Sequence, residues 1–319
     1  MTAVGPGFLV AMLGGFCTAA LAFVAGLWLL AQSGHLPPPP ISNVVCMDEK
    51  LLFLRRHQPF DPNFLVVGSS VAWRHFDGET AERERPGTRA LNGGFCKINI
   101  AQTAQATTWL LSRLPNVRDL VLIASPQDFE ACDTGVRAFD EKDADRFVFE
   151  HASALRFYFR YFDPVSLMRN ARAVGALRSQ PHSLNPMVFD RFGDGPVDTT
   201  LTHTSLAYGA LDSLDERCFA ALRHLALDSR RLGKRLLVVT QPVNPEWLQR
   251  YDAGGKMRRT LVRGIRAALG GTGASFWNAL DESAIRHEAF TDAIHLRWSA
   301  ARVFTAEIMR VRTSLAAPR

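Results

Sequence analysis

Short apolar runs that stop abruptly at turn residues recur along this chain, with helical patterns between them. Asn63–Val67 is closed by Gly68, and Ala90–Leu91 enters an Asn92-Gly93-Gly94 turn. Arg118–Ala124 halts at Ser125-Pro126 and Arg235–Thr240 at Gln241-Pro242, while Ala274–Trp277 reads as a fifth strand. Between them, Ala101–Leu114 places Ala101, Ala104, Trp109, Leu110 and Leu114 at helical spacing. Ser213–Leu232 reads as a helix with Ser213 as N-cap, Glu216 as its capping-box partner and Gly233 as its stop. Met257–Leu269 and Trp298–Arg312 are the last two helices. Strands joined through helices pair in parallel and need a helical layer on each face. The sequence therefore predicts an α/β chain with a central parallel sheet.

In such sheets the chemistry lies beyond the carboxyl ends of the strands. Ser70, Asn92 and Gly94, Ser125–Asp128, and Gln241–Asn244 all follow predicted strands and so gather at one edge. A serine hydroxyl is a weak nucleophile at neutral pH. It needs a base within hydrogen-bond reach, and the base needs an acceptor to hold its ring. Asp292-Ala-Ile-His295 supplies both late in the chain, with His295 as base and Asp292 as its partner. Ser69 is the competing nucleophile. Trp73 and Arg74, just past Ser70, are candidate substrate contacts, whereas Asp128 and Asn244 read as scaffold. His75, His182 and His287 have no such company and read as surface or structural residues. Neither Cys-x-x-Cys nor a histidine cluster argues for a metal, and no cofactor is expected. With no Gly-x-Gly-x-x-Gly after any strand, a nucleotide-binding Rossmann protein fits poorly.

Gly68-Ser69-Ser70 and Asp292-x-x-His295 together resemble the first and last blocks of the SGNH (GDSL-like) hydrolases. The resemblance covers roughly residues 60–312 and implies a flavodoxin-like three-layer α/β/α fold. Ser70 matches the family's nucleophile, with Ser69 in place of the usual Asp, and Asp292 and His295 match its acid and base. Asn92-Gly93-Gly94 looks like the second block and Ser125-Pro126-Gln127-Asp128 like the third, so the resemblance implies oxyanion donors at Gly94, Asn92 and Gln127. Gln127 stands where Asn is usual and donates the same N–H from a longer arm. The third-block form is similar to the membrane-anchored branch that handles acetyl or D-alanyl groups on envelope polymers.

The first 47 residues hold no Asp, Glu, Lys or Arg, and Phe8–Ala31 is almost purely apolar. About 20 residues cross a bilayer core as a helix. The run is too long for a signal-peptide core and lacks its basic start, so residues 1–34 read as an uncleaved single-pass anchor. A short head is easier to leave in the cytoplasm than the large domain, which places residues 59–319 outside the cytoplasmic (inner) membrane. Residues 35–58 read as spacer and lead-in, where Pro37–Pro40 forms a stiff polyproline rod holding the domain off the lipid. Residues 133–212 break the alternation and read as an insertion, helical at first. Its Arg156–Phe162 aromatics either stack on sugars or pack on the core. Cys96 and Cys132 follow the second and third blocks. They form a disulfide if both loops share a rim in an oxidising compartment, and otherwise stay as two thiols.

The net charge of +6 is spread among charges of both signs, with no stripe for nucleic acid. Expected partners are an envelope or secreted polysaccharide, the membrane and, for a transferase, a multi-span protein that delivers the acyl donor. These readings describe a membrane-tethered serine O-acetyltransferase or acetylesterase. The alternative is a catalytically inactive SGNH-like protein that binds polysaccharide or scaffolds an export complex.

Overall fold

All five strands run parallel. β1 (Phe64–Gly68), β2 (Ala90–Asn92), β3 (Asp119–Ala124), β4 (Arg235–Thr240) and β5 (Ser275–Asn278) pair in the order β2-β1-β3-β4-β5. They are the predicted strands, displaced by no more than about one residue at either end. The computed structural model describes residues 6–316 apart from 59, 134, 181, 203–205, 207, 284 and 286.

Helices fill the connections. Ahead of the sheet come α1 (Pro6–Gln32) and α2 (Val45–Arg56). Then follow α3 (Ser70–His75), α4 (Gly78–Glu84), α5 (Ile100–Arg113), α6 (Glu141–Val148), α7 (Ala154–Arg160) and α8 (Pro164–Ser179). The chain closes with α9 (Glu216–Arg231), α10 (Pro245–Tyr251), α11 (Lys256–Leu269), α12 (Ala279–Glu282) and α13 (Trp298–Ala316).

Side chains alternate across the pleat, so each strand feeds two cores. Leu65, Val67, Leu120, Leu122, Leu236 and Val238 pack with α5, α9 and α11. Phe64, Val66, Val121, Ile123, Leu237 and Val239 pack with α3, α4 and α13. Burial on both faces explains why the strands read as continuous apolar runs rather than alternating ones. The result is the three-layer α/β/α sandwich expected. α4 packs against α13 with its Thr80 and Ala81 buried.

Three expectations are corrected. The cap of α9 is Asp215, which accepts from Arg217 N–H at 2.9 Å, and not Ser213. Asp215 also accepts from Cys132 N–H at 2.9 Å, a long-range tie that local spacing does not reveal. Cys96 and Cys132 do not pair with each other: the disulfides are Cys46–Cys96 and Cys132–Cys218. The partners are Cys46 of α2 and Cys218 of α9, with Cα separations of 6.2 and 5.2 Å, inside the range a disulfide spans. Finally, Pro37–Pro39 are buried rather than extended into solvent, and the Tyr158 hydroxyl of α7 donates to the Pro37 carbonyl. The prolines lie on the domain, which is therefore not held away from α1.

Asp119 opens β3 as a buried carboxylate facing Arg85 at 3.2 Å, Arg235 at 2.9 Å and the buried Arg312 of α13. Removing it strands a buried guanidinium, so Asp119→Ala should cost about 3–5 kcal/mol in denaturant unfolding. Alkylation in denaturant without reductant should modify Cys17 alone, and reduction should expose all five cysteines by mass.

Candidate active site

β1 ends at Gly68 and the chain turns at once into α3, whose first residue is Ser70. From the other end of the chain, the loop before α13 brings in Asp292 and His295. The Ser70 Oγ lies 2.9 Å from His295 Nε2, and His295 Nδ1 lies 2.8 Å from Asp292 Oδ2. Facing a carboxylate, Nδ1 carries the proton, which leaves Nε2 to accept from the serine hydroxyl. Asp292 is fixed in turn by its second oxygen, which accepts from the N–H groups of Ile294 at 2.8 Å and His295 at 2.7 Å. Burial alone would push the Asp292 carboxyl up. The His295 charge and these hydrogen bonds outweigh burial and hold it at about 2. Asp292 and His295 are both buried, while Ser70 is half-buried and lines two cavities.

A second tie crosses the same gap. His75, at the end of α3, accepts from Leu296 N–H through Nε2 at 2.9 Å. Burial, and next the adjacent His295, hold the His75 pKa well below its usual value, so the ring stays neutral and able to accept. The two ends of α3 thus touch the His295 loop at both His295 and Leu296.

The second block differs from its expected role. Asn92 is buried and its amide donates to the Ala72 carbonyl at 2.9 Å, the Trp73 carbonyl at 3.2 Å and Asp194 Oδ1 at 2.7 Å. Its oxygen accepts from Gly94 N–H at 2.9 Å. Both expected donors are therefore committed to each other and to α3, and neither N–H points at the serine hydroxyl. Gln127 is different. Its amide has no hydrogen-bond partner among the described residues and borders the smaller cavity, about 290 Å³, together with Ser69 and Ser70. Ser69 is buried at the N-cap position of α3, and its side chain makes no capping hydrogen bond there.

Trp73 and Arg74 border the larger cavity, about 920 Å³, with Ser70 and His295. Trp73 stacks on Phe189 at 5.1 Å, and the Arg74 guanidinium lies 4.4 Å from the Trp73 ring. Arg74 Nη2 donates to the Pro186 carbonyl at 3.1 Å, so both side chains also seat the insertion. Asn244 caps α10 and donates to the Asp292 carbonyl at 3.2 Å, a scaffold role.

Sequence reasoning missed two cavity residues, Lys97 and Tyr208, which hold left-handed backbone at φ of 57° and 75°. Bulky residues there are strained, and such strain collects at functional sites. Lys97 borders both cavities beside Ser70, but nothing in its local sequence marks the conformation. Among the described residues, Asp77, Asp190 and Asp194 are close enough to share a cation. Their oxygens already accept from Thr80, Phe192 N–H, Gly78 N–H and Asn92, which makes the group a hydrogen-bond hub behind the site.

The strand order 2-1-3-4-5, with the serine at the β1/β3 switch point and the histidine loop ahead of the last helix, is the architecture the resemblance implies. The fold is a flavodoxin-like three-layer α/β/α sandwich. No family model and no curated protein matches the chain. Solved structures similar to it include an aryl esterase from M. smegmatis (12% identity, TM-score 0.42, covering 79% of this chain and 98% of that one). A carbohydrate acetylesterase from Sinorhizobium meliloti aligns at 12% identity and TM-score 0.41, covering 79% and 99%. An acetylxylan esterase from Geobacillus stearothermophilus aligns at 12% identity and TM-score 0.39, covering 80% and 95%.

Burial pushes the Asp128 carboxyl up to about 7, against hydrogen bonds from Ser125 and Ser69. In the folded chain it holds its proton through the range where the unfolded chain has lost it. Its contribution to stability is thus full below the ordinary Asp pKa of about 4 and declines as pH rises to about 7. Asp128→Asn lacks this decline, so its melting temperature relative to the parent chain should climb between those pH values and then level off.

Proposed function

We propose that this chain is a membrane-tethered serine acyl-transfer enzyme acting on O-acetyl esters of an envelope or secreted polysaccharide. The observation that carries the reading is the unbroken hydrogen-bond chain from Ser70 Oγ through His295 to Asp292. In this reading His295 Nε2 takes the hydroxyl proton as Ser70 Oγ attacks the acetyl carbonyl. Asp292 keeps the ring oriented and stabilises its charged form. The same nitrogen then returns the proton to the departing sugar oxygen, leaving an acetyl-serine. A water molecule or a second sugar hydroxyl attacks that ester, activated again by His295. Water makes the enzyme an esterase and a hydroxyl makes it a transferase. The free amide of Gln127 and the Ser70 N–H at the start of α3 are the groups assigned to the developing oxyanion.

The setting supports extracytoplasmic work. α1 carries a stretch, Gly7–Gln32, long and apolar enough to cross a membrane. Two disulfides suit an oxidising compartment. We place the domain outside the inner membrane, with α1 as anchor. A single span cannot carry an acyl donor across, so a transferase would work with a multi-span protein that delivers it. A second reading, a non-catalytic polysaccharide-binding or scaffold protein, is favoured by one observation: the Gly94 N–H is turned away onto Asn92.

Turnover of p-nitrophenyl acetate by the full chain in detergent separates the two. Ser70→Ala and Asp292→Asn should each lower kcat by roughly three to four orders of magnitude. Gln127→Leu should lower it by about 10²–10³ with little change in KM. Background-level turnover by the parent chain, equal to that of Ser70→Ala, would leave the scaffold reading standing.

A further inference from the structure

The insertion sits against the anchor. Phe23, nine residues before the end of α1, lies 5.4 Å from Phe159 of α7 and 5.0 Å from Phe162, ring centre to ring centre. Leu27, one turn further along the same face, is buried. With a rise of about 1.5 Å per residue, Phe23 lies roughly 14 Å before the helix end. The α7 aromatics therefore sit level with a part of α1 that is still apolar.

Away from α1 this layer is uncovered. Val165 and Met168 of α8 continue the line of Phe159 and Phe162 at three-residue spacing, Val165 is 74% exposed, and Phe162, in the turn between α7 and α8, stays 56% exposed beside its contact with Phe23. Arginines flank them: Arg156, Arg169 and Arg172 are exposed, Arg160 is held by Asp143 at 2.6 Å, and Asp163 is the one acid between Ala154 and Ser179. A surface of aromatic and aliphatic side chains rimmed by arginine, continuous with a spanning helix, has the composition of an element lying in the headgroup layer.

We propose that α7 and α8 lie in the outer interface of the bilayer, with Phe159, Phe162, Val165 and Met168 in lipid and the arginines on anionic headgroups. The inference rests on α1 being a membrane anchor. It goes further, because it brings the larger cavity to the lipid surface. Asp163, Ser166, Arg169 and Asn170 of this same layer line that cavity together with Ser70 and His295. A substrate held at the membrane, such as a lipid-linked glycan or acyl donor, reaches Ser70 along the bilayer plane.

The test uses the full chain carrying Cys17→Ala, with a nitroxide on Val165→Cys, Met168→Cys or Arg231→Cys, in vesicles of phosphatidylcholine and phosphatidylglycerol. All three labelled positions are exposed, so the substitutions spare the core. Collisions with oxygen and with a water-soluble nickel chelate should place residues 165 and 168 about 5–10 Å below the headgroups, and residue 231 in water. If residues 165 and 168 meet the chelate as freely as residue 231 while the protein resists carbonate extraction, the lipid contact is wrong and the face is left for a protein. Release of the parent chain by carbonate would overturn the anchor itself, and this inference with it.

Discussion

At the end of β1 there is room for a hydrogen atom and nothing larger. Gly68 has φ of 143°, and a Cβ built there would lie 2.2 Å from the Ile123 carbonyl oxygen of β3 and 2.7 Å from Ala72 of α3. Only glycine tolerates both the conformation and the approach. That closeness lets the chain leave the sheet directly into α3, with Ser70 at the point where strand order reverses. A turn one residue longer would carry the hydroxyl out of reach of the His295 loop.

The rest of the site is a set of ties that keep two distant chain segments at one separation. His75 binds Leu296, Ser70 binds His295, and Asn92 clamps the Ala72 and Trp73 carbonyls of α3. The insertion joins in, because Asp194 accepts from Asn92, Gly195 N–H donates to the Trp73 carbonyl, and the buried Lys50 donates to the Gly193 carbonyl. Residues 133–212 are thus part of the wall behind the nucleophile rather than an appendage. Buried networks of this kind are costly if any member is lost, since each donor left unpaired costs about 1–3 kcal/mol.

The same insertion faces two ways. Phe157 and Tyr158 pack inward, while Phe159 and Phe162 meet Phe23 of α1. The aromatic run therefore does only part of what its sequence offered: Phe157 and Tyr158 pack on the core, while Phe159 and Phe162 turn to α1 rather than to a sugar site. With Pro37–Pro39 laid on the domain, α1 and α7 are in direct contact.

Much of this was legible in the residues themselves. Apolar runs closed by Gly68, Ser125-Pro126 and Gln241-Pro242 located the strands, since a buried parallel strand needs nothing but length, apolarity and a stop. The pairing of a serine after the first strand with Asp292-x-x-His295 marked which side chains would meet, because three roles require three residue types. What stayed hidden depends on contacts between segments far apart in the chain. Cys96, in the loop after β2, pairs with Cys46 at the start of α2, and Asp215 caps α9 while it also holds the Cys132 amide. Gly94 turns its N–H onto Asn92 because Asn92 is already clamped to α3. Composition and local period settle which residues prefer a strand, a helix or a turn. Distances of about 3 Å between residues hundreds of positions apart are decided only when the packed layers bring them together.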